Sequence, residues 1–170
     1  YLFSRLLRSV YAVVENVARE LRCSQFQPIS FELGFGRKED CALPPVELTV
    51  DGVTLSISGF VDRVDGWVRD GRLNLRVVDY KTGKKDFDYC DVFNGVGLQM
   101  LLYLFALRES GEESLGEHPV AAGVQYFPAR APYLSADGRL EEPEAEKTRQ
   151  KEWKRKGLLL SDETVLQAME

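Results

Sequence analysis

Asp62, Asp79 and Lys81 are the residues of this chain whose types and spacing could do chemistry. Asp62 interrupts one apolar stretch, with Ile57, Val61, Val64 and Trp67 around it. Asp79 interrupts another, which carries Leu73, Leu75, Val77 and Val78. Lys81 follows Asp79 by two residues, which on a strand puts both side chains on one face. Two carboxylates and an ammonium on a half-buried sheet are costly unless something repays their desolvation. A divalent metal ion and a phosphodiester together would do so. Magnesium suits the pair, because it is usually held by one or two carboxylates plus water and phosphate oxygens. Asp62 and Asp79 are then the expected direct ligands, with the backbone carbonyl of Tyr80 as a third. Lys81 would hold a water or a phosphate oxygen, where its charge offsets developing negative charge. Gln99 could turn its amide toward the same place, and Tyr103, one helical turn on, shares its face. The plain alternative is an ion pair between strands, Lys81 bridging Asp62 and Asp79. An acid-x-lysine pattern alone carries little weight, since Glu152-Trp153-Lys154 repeats it in a charged segment.

The elements that must position these residues are strands joined by tight turns. Asp70-Gly71 separates the two stretches and Asp51-Gly52 separates Val46–Val50 from Val53–Ile57. Each is a two-residue hairpin signal, because both residues tolerate positive φ. The strand ending at Ile57 is expected to run on into the arm that carries Asp62. Residues 1–22 read as an amphipathic helix whose apolar side packs on a core. Ile29–Phe35 alternates as a strand, with Glu32 on the face opposite Ile29, Phe31, Leu33 and Phe35. Residues 37–45 read as a loop and 82–94 as a polar connection. From Gly97 to Ser110 the pattern is a helix apolar almost all round, followed by a loop over 111–118. Val120–Phe127 reads as a strand. Leu140–Gly157 reads as a charged helix starting near Pro143, with Leu158–Leu160 as a link. Ser161 is the expected cap of a last helix running to Glu170. The crossover from the second arm through the helix to the final strand implies a parallel strand pair. The fold class expected is α+β, a mixed central sheet flanked by helices.

At 170 residues the chain can bury a core of its own. Its apolar fraction of 44% and charged fraction of 29% fit an ordinary globular composition. No apolar run is long enough to span a bilayer, about 18 residues or more, so no membrane partner is expected. The net charge of −5 does not advertise a nucleic-acid binder. Locally, however, Arg63, Arg76, Lys81, Lys84 and Lys85 lie near the paired acids in sequence, and a second basic run lies between Lys147 and Lys156. Cys23, Cys41 and Cys90 are dispersed and odd in number, so they frame no disulfides or zinc site and fit reduced thiols in the cytoplasm. No P-loop or GxGxxG is present, which argues against a nucleotide-binding protein.

Three motifs in order resemble the RecB-type branch of the PD-(D/E)XK nuclease superfamily. They are Gly59-Phe60-Val61-Asp62-Arg63, then Asp79-Tyr80-Lys81-Thr82, then Gln99-Met100-Leu101-Leu102-Tyr103. The flanks look most like the C-terminal nuclease domain of the B subunit of bacterial AddAB-type ATP-dependent helicase–deoxyribonucleases. The resemblance implies a restriction-endonuclease-like core over about 28–128 and a charged helical extension over about 140–170, together a single nuclease domain spanning 1–170. It implies that Asp62 and Asp79 bind magnesium or manganese and that Lys81 is catalytic. Gln99 and Tyr103 would support the site or contact DNA, and Glu32 is a lesser candidate. The implied activity is metal-dependent exonucleolytic hydrolysis of single-stranded DNA ends, beside a partner helicase–nuclease subunit, in double-strand-break repair by recombination. The alternative is the same fold kept as an inactive scaffold or DNA-guiding module. Family members often add an upstream histidine ligand, which His118 does not match. Some carry an iron–sulfur cluster, whose ligands Cys23, Cys41 and Cys90 do not supply. The chain opens in mid-helix by pattern, and the expectation is a piece of a longer parent that holds those parts.

Overall fold

The two Asp-Gly pairs close hairpins. Asp51 and Gly52 have φ of 50° and 79°, and Asp70 and Gly71 have 53° and 69°, the left-handed values that a tight strand-to-strand turn needs. The first turn joins β2 (Val46–Val50) to β3 (Val53–Ile57), and the second joins β4 (Gly59–Arg69) to β5 (Arg72–Lys81). The computed structural model describes residues 2–37, 41–115, 118–132 and 141–170. Three residues of the loop expected over 37–45, and Leu140 at the expected start of the charged helix, lie outside them.

The remaining elements are α1 (Leu2–Cys23), β1 (Gln27–Phe35), α2 (Tyr89–Phe93), α3 (Gln99–Leu115), β6 (His118–Pro128), α4 (Glu142–Glu152), β7 (Lys156–Leu159) and α5 (Glu163–Ala168). Five strands form one sheet in the order β1-β4-β5-β6-β7. Only β5 and β6 run parallel, as the crossover through α3 requires. The sheet is therefore mixed, and helices cover both of its faces.

On one face α3 packs Met100, Tyr103, Leu104 and Leu107 onto Leu73, Leu75 and Val77 of β5 and onto Val124 and Tyr126 of β6. On the other face Phe26, Ala122, Val165, Ala168 and Met169 form a smaller core beneath α5. Between α1 and the sheet on that side lies a buried ionic cluster. Arg63 reaches Glu20 at 3.1 Å and Asp65 at 2.8 Å, and Arg76 reaches Glu20 at 3.0 Å and Asp65 at 2.6 Å. Arg155 joins Glu20 at 3.7 Å. Arg63 and Arg76 lie near the paired acids in sequence, but strand alternation sends them to the opposite face of the sheet.

Several expectations fail for identifiable reasons. The apolar side of α1 does not pack on this core: Leu2, Phe3, Leu6, Val10, Tyr11 and Val14 are exposed, and the buried residue of α1 is Glu20. β3 does not run into β4; the chain breaks at Ser58, and β2–β3 forms a separate two-stranded sheet. The connection over 82–94 contains α2, capped by Asp88, whose carboxylate accepts from the Cys90 amide. α3 continues to Leu115, and His118 opens β6, so most of the expected loop is regular structure. The segment read as a link is β7, paired antiparallel with β6. Gly157 permits that approach, since a Cβ there would clash with the Val124 carbonyl oxygen. The last helix is capped by Asp162, whose carboxylate accepts from the Thr164 and Val165 amides, and ends at Ala168.

Removing one member of the ionic cluster strands the others without water. Glu20→Ala leaves Arg63 and Arg76 sharing Asp65 and takes from Arg155 its partner in the cluster, and the expected cost is about 3–5 kcal/mol. Urea unfolding of the variant against the parent chain checks this; a midpoint that does not move would contradict it.

Candidate active site

The β4–β5 ladder runs up to the pair Arg63↔Val78. Beyond it, the next available amide does not pair with a backbone carbonyl of β4: Tyr80 N–H donates to Asp62 Oδ2 at 2.8 Å. The carboxylate thus takes the place of a ladder rung, and one of its oxygens is fixed by the strand that also carries Asp79. Beside it, Lys81 Nζ lies 2.5 Å from Asp79 Oδ2. That oxygen is buried, and the Lys81 ammonium against it is a close, charge-assisted partner. The Asp79 side chain is 17% exposed and that of Lys81 40%. The acid is mostly withdrawn from water, while the ammonium can still reach a bound anion. The bridging ion pair weighed from sequence does not form: Lys81 pairs with Asp79, and Asp62 is held by the backbone.

Burial raises the affinity of Asp79 for its proton above that of an ordinary aspartate; Lys81 opposes this and the charge of Asp62 adds to it. For Lys81 burial pulls downward, but Asp79 and Asp62 outweigh it and hold the ammonium above its usual value. Tyr126 stands opposite Asp79 in the parallel β5–β6 register, and its ring lies 5.9 Å from the Lys81 ammonium. Burial and then the Asp79 carboxylate push its phenol up. Sequence reading missed Tyr126, because a parallel register across a helical crossover has no local signal.

The other candidate residues are placed less simply. Tyr80 presents its amide to Asp62, but its side chain lies on the far face, where its hydroxyl accepts from Arg63 Nη1 at 2.8 Å. Glu32 does not follow the expected alternation. Pairs Phe31↔Arg63 and Leu33↔Val61 bracket it and set it across from Asp62, but its φ is +49°, a left-handed value uncommon for such a residue. Val61 and Val64 both enter the α3-side core. The backbone irregularity here lies in β1, at Glu32 itself. Glu32 itself is exposed, with no hydrogen bond among the described residues.

Gln99 does not aim its amide at the carboxylates. It donates to the Tyr103 hydroxyl. Tyr103 is buried, edge-on to Phe35 at 4.7 Å, and its hydroxyl rests on Gly59: a Cβ there would meet it at 2.5 Å. The Gln99–Tyr103 pair therefore bears on the strand three residues before Asp62, in a space that only glycine leaves open.

The donor set fits a hard divalent ion. Two carboxylates, one of them mostly withdrawn from water, are what magnesium takes alongside water and phosphate oxygens. No third histidine, cysteine, aspartate or glutamate completes a protein-only metal cluster among the described residues, which excludes a closed structural zinc site there. The three cysteines are free. No helix among the described residues is long and apolar enough to cross a membrane.

Residues 1–167 match the family model of the PD-(D/E)XK nuclease superfamily. The chain is similar to the B subunit of the ATP-dependent helicase/deoxyribonuclease of Acetivibrio thermocellus, at 40% identity over 98% of this chain and 14% of that protein. It is also similar to the corresponding B subunits of Desulforamulus reducens, at 33% identity, and Symbiobacterium thermophilum, at 35%, each over 100% of this chain and 15% of the relative. The chain thus spans about one seventh of the length of these relatives.

The raised proton affinity of Asp79 has a sign that can be tested. An acid harder to ionise in the folded state than in the unfolded one costs stability above its unfolded pKa, and that cost disappears as pH falls through the folded value. At neutral pH and without metal, Asp79→Asn should therefore melt no lower than the parent chain, while its affinity for manganese is lost. In the parent chain, manganese affinity should fall at a higher pH than an unperturbed aspartate would give. Thermal melting in EDTA and calorimetric titration as a function of pH check both signs; a variant that melts lower and binds manganese normally would contradict the assignment.

Proposed function

Because the chain belongs to the PD-(D/E)XK nuclease superfamily, we propose that it is a metal-dependent deoxyribonuclease domain whose reacting phosphate sits where β4 parts from β5. The observation that carries this reading is the Asp62 carboxylate, pinned by the Tyr80 amide next to the close Asp79–Lys81 pair. Asp62 and Asp79 would hold magnesium or manganese, with the Tyr80 carbonyl as a third oxygen. Such an ion, when bound, supplies Lewis acidity toward a phosphate oxygen and a water of lowered pKa.

The chain's own residues supply the rest. Tyr80 N–H fixes the rotamer of Asp62, so the carboxylate needs no reorganisation when charge arrives. Lys81, held near Asp79 but partly exposed, donates to a non-bridging phosphate oxygen and favours the charge that builds on it. The Tyr126 ring walls one side of the ammonium and keeps it from swinging into solvent. Gln99 and Tyr103 act as positioning residues by holding the start of β4 through Gly59. Glu32, across from Asp62, is a lesser candidate for an outer ligand through water.

The relatives' name supports DNA as the substrate and a helicase–nuclease as the setting. We read the substrate as single-stranded ends and the process as double-strand-break repair by recombination. The residues of the chain are read as a single domain, with partner contacts and ATP binding supplied by other parts of the complex.

Asp79→Ala should abolish cleavage of a labelled single-stranded oligonucleotide in manganese, and Lys81→Ala should slow it by about 10²–10³-fold. Both should keep the parent's circular-dichroism spectrum. Cutting by Asp79→Ala at the parent rate would overturn the proposal.

A further inference from the structure

The chain carries a net charge of −5, yet its charge is far from evenly spread. Lys81 forms one end of a cleft of about 230 Å³ whose walls carry Lys84, Lys85, Arg130, Lys151, Lys154 and Lys156. The acids lining it are Asp86 and Glu152. Three separate segments supply the cations: the loop after β5, the residues following β6, and the turn from α4 into β7. Lys156 pairs with Asp86 at 3.4 Å. Lys84, Lys85, Arg130, Lys151 and Lys154 have no ion pair among the described residues. Lys85 lies 5.7 Å from the face of Tyr126, the ring that also backs Lys81. Phe127, Pro128 and Pro132 give the cleft an apolar floor.

Cations gathered in one concavity repel one another and raise the local concentration of anions. The cations come from three segments around one concavity that also presents the rings of Tyr126 and Phe127. That lining suits a flexible anion that can offer a phosphate to each wall and stack a base or sugar between them. Because Lys81 belongs both to this cleft and to the carboxylate site, one chain can occupy both at once.

We propose that this cleft is a subsite gripping the sugar–phosphate backbone of a single DNA strand immediately next to the phosphate being cut. The inference rests on the nuclease reading of the Asp62–Asp79–Lys81 site and adds the path of the strand. The α4–β7 turn makes one wall, so the segment after β6 takes part in substrate binding as well as in closing the sheet edge. The grip reads backbone charge; sequence discrimination is not expected of it.

The test measures binding without cleavage. Anisotropy of a fluorescein-labelled oligothymidylate in EDTA is titrated with the parent chain and with Lys84→Ala/Lys154→Ala, one exposed lysine from each wall. Each phosphate contact on a single strand contributes about 0.7 to the slope of log K against log salt. The double variant should bind more weakly at low salt and lose about 1.4 from that slope. Its melting temperature and its manganese affinity should stay at parent values. Affinity and slope equal to the parent's would overturn the subsite, as would displacement of the strand by inorganic phosphate as effectively as by unlabelled oligothymidylate at equal phosphate concentration. Failure of the two readings is distinguishable. If Asp79→Ala has lost cleavage but the lysine variant binds normally, the subsite alone is wrong. If the lysine variant loses binding while Asp79→Ala still cuts, the cleft stands as a strand-binding surface and the catalytic assignment is wrong.

Discussion

Four buried charged side chains meet beneath the sheet, joined by a fifth that is partly exposed, and the geometry of the candidate site depends on them. Glu20 from α1 and Asp65 from β4 are each shared by Arg63 and Arg76 at 2.6–3.1 Å. Arg155, from the turn before β7, closes the group on Glu20. Burial alone would pull the proton from Arg63, but Asp65 and Glu20 outweigh it and hold the guanidinium charged. A cluster of this kind adds little net stability over an apolar core, yet it is intolerant of losing a partner. It ties α1, β4, β5 and the segment before β7 to one point.

That point lies directly behind the site. Along β4, Asp62 faces one side of the sheet and Arg63 the other. Along β5, Asp79 and Lys81 face the site while Tyr80, between them, sends its hydroxyl to Arg63 at 2.8 Å. The same residue gives its amide to Asp62. Tyr80 thus links the buried charges to the carboxylate that an ion would bind, and the rotamer of Asp62 is set by a strand locked from behind. The front is set by packing. Tyr103 of α3 lies on Gly59, three residues before Asp62, and holds the start of β4.

The sequence made the local features legible and hid the ones that depend on distant pairing. Both Asp-Gly turns, the alternation around Asp62 and Asp79, and the apolar run of α3 are short-range signals, and the structure has Asp62 on β4 and Asp79 and Lys81 on β5 as they suggest. Tyr126 and Arg130 reach the site through a parallel register set by a helical crossover, which no local pattern encodes. Lys156, Gly157, Leu158 and Leu159 look like a link because a four-residue edge strand is too short to show alternation. Glu152-Trp153-Lys154 is a decoy for the catalytic pattern, yet Lys154 lines the basic cleft at Lys81. The apolar stripe of α1 is real as a pattern, but a stripe does not say what covers it, and Leu2, Phe3, Leu6, Leu7, Val10 and Val14 face solvent. Net charge misleads in the same way: the total of −5 hides the cations that gather at one end of β5.

The proposed chemistry turns on a divalent ion held by Asp62 and Asp79 at the fork of β4 and β5. Paramagnetic broadening by manganese, read amide by amide in a nitrogen-labelled sample at substoichiometric metal, tests it most directly. The amides of Asp62, Asp79, Tyr80 and Lys81 should fade first, with those of Tyr126 and Phe127 next. Broadening centred on the acidic first turn of α4, at Glu142 and Glu144, with the β4–β5 fork unaffected, would contradict it.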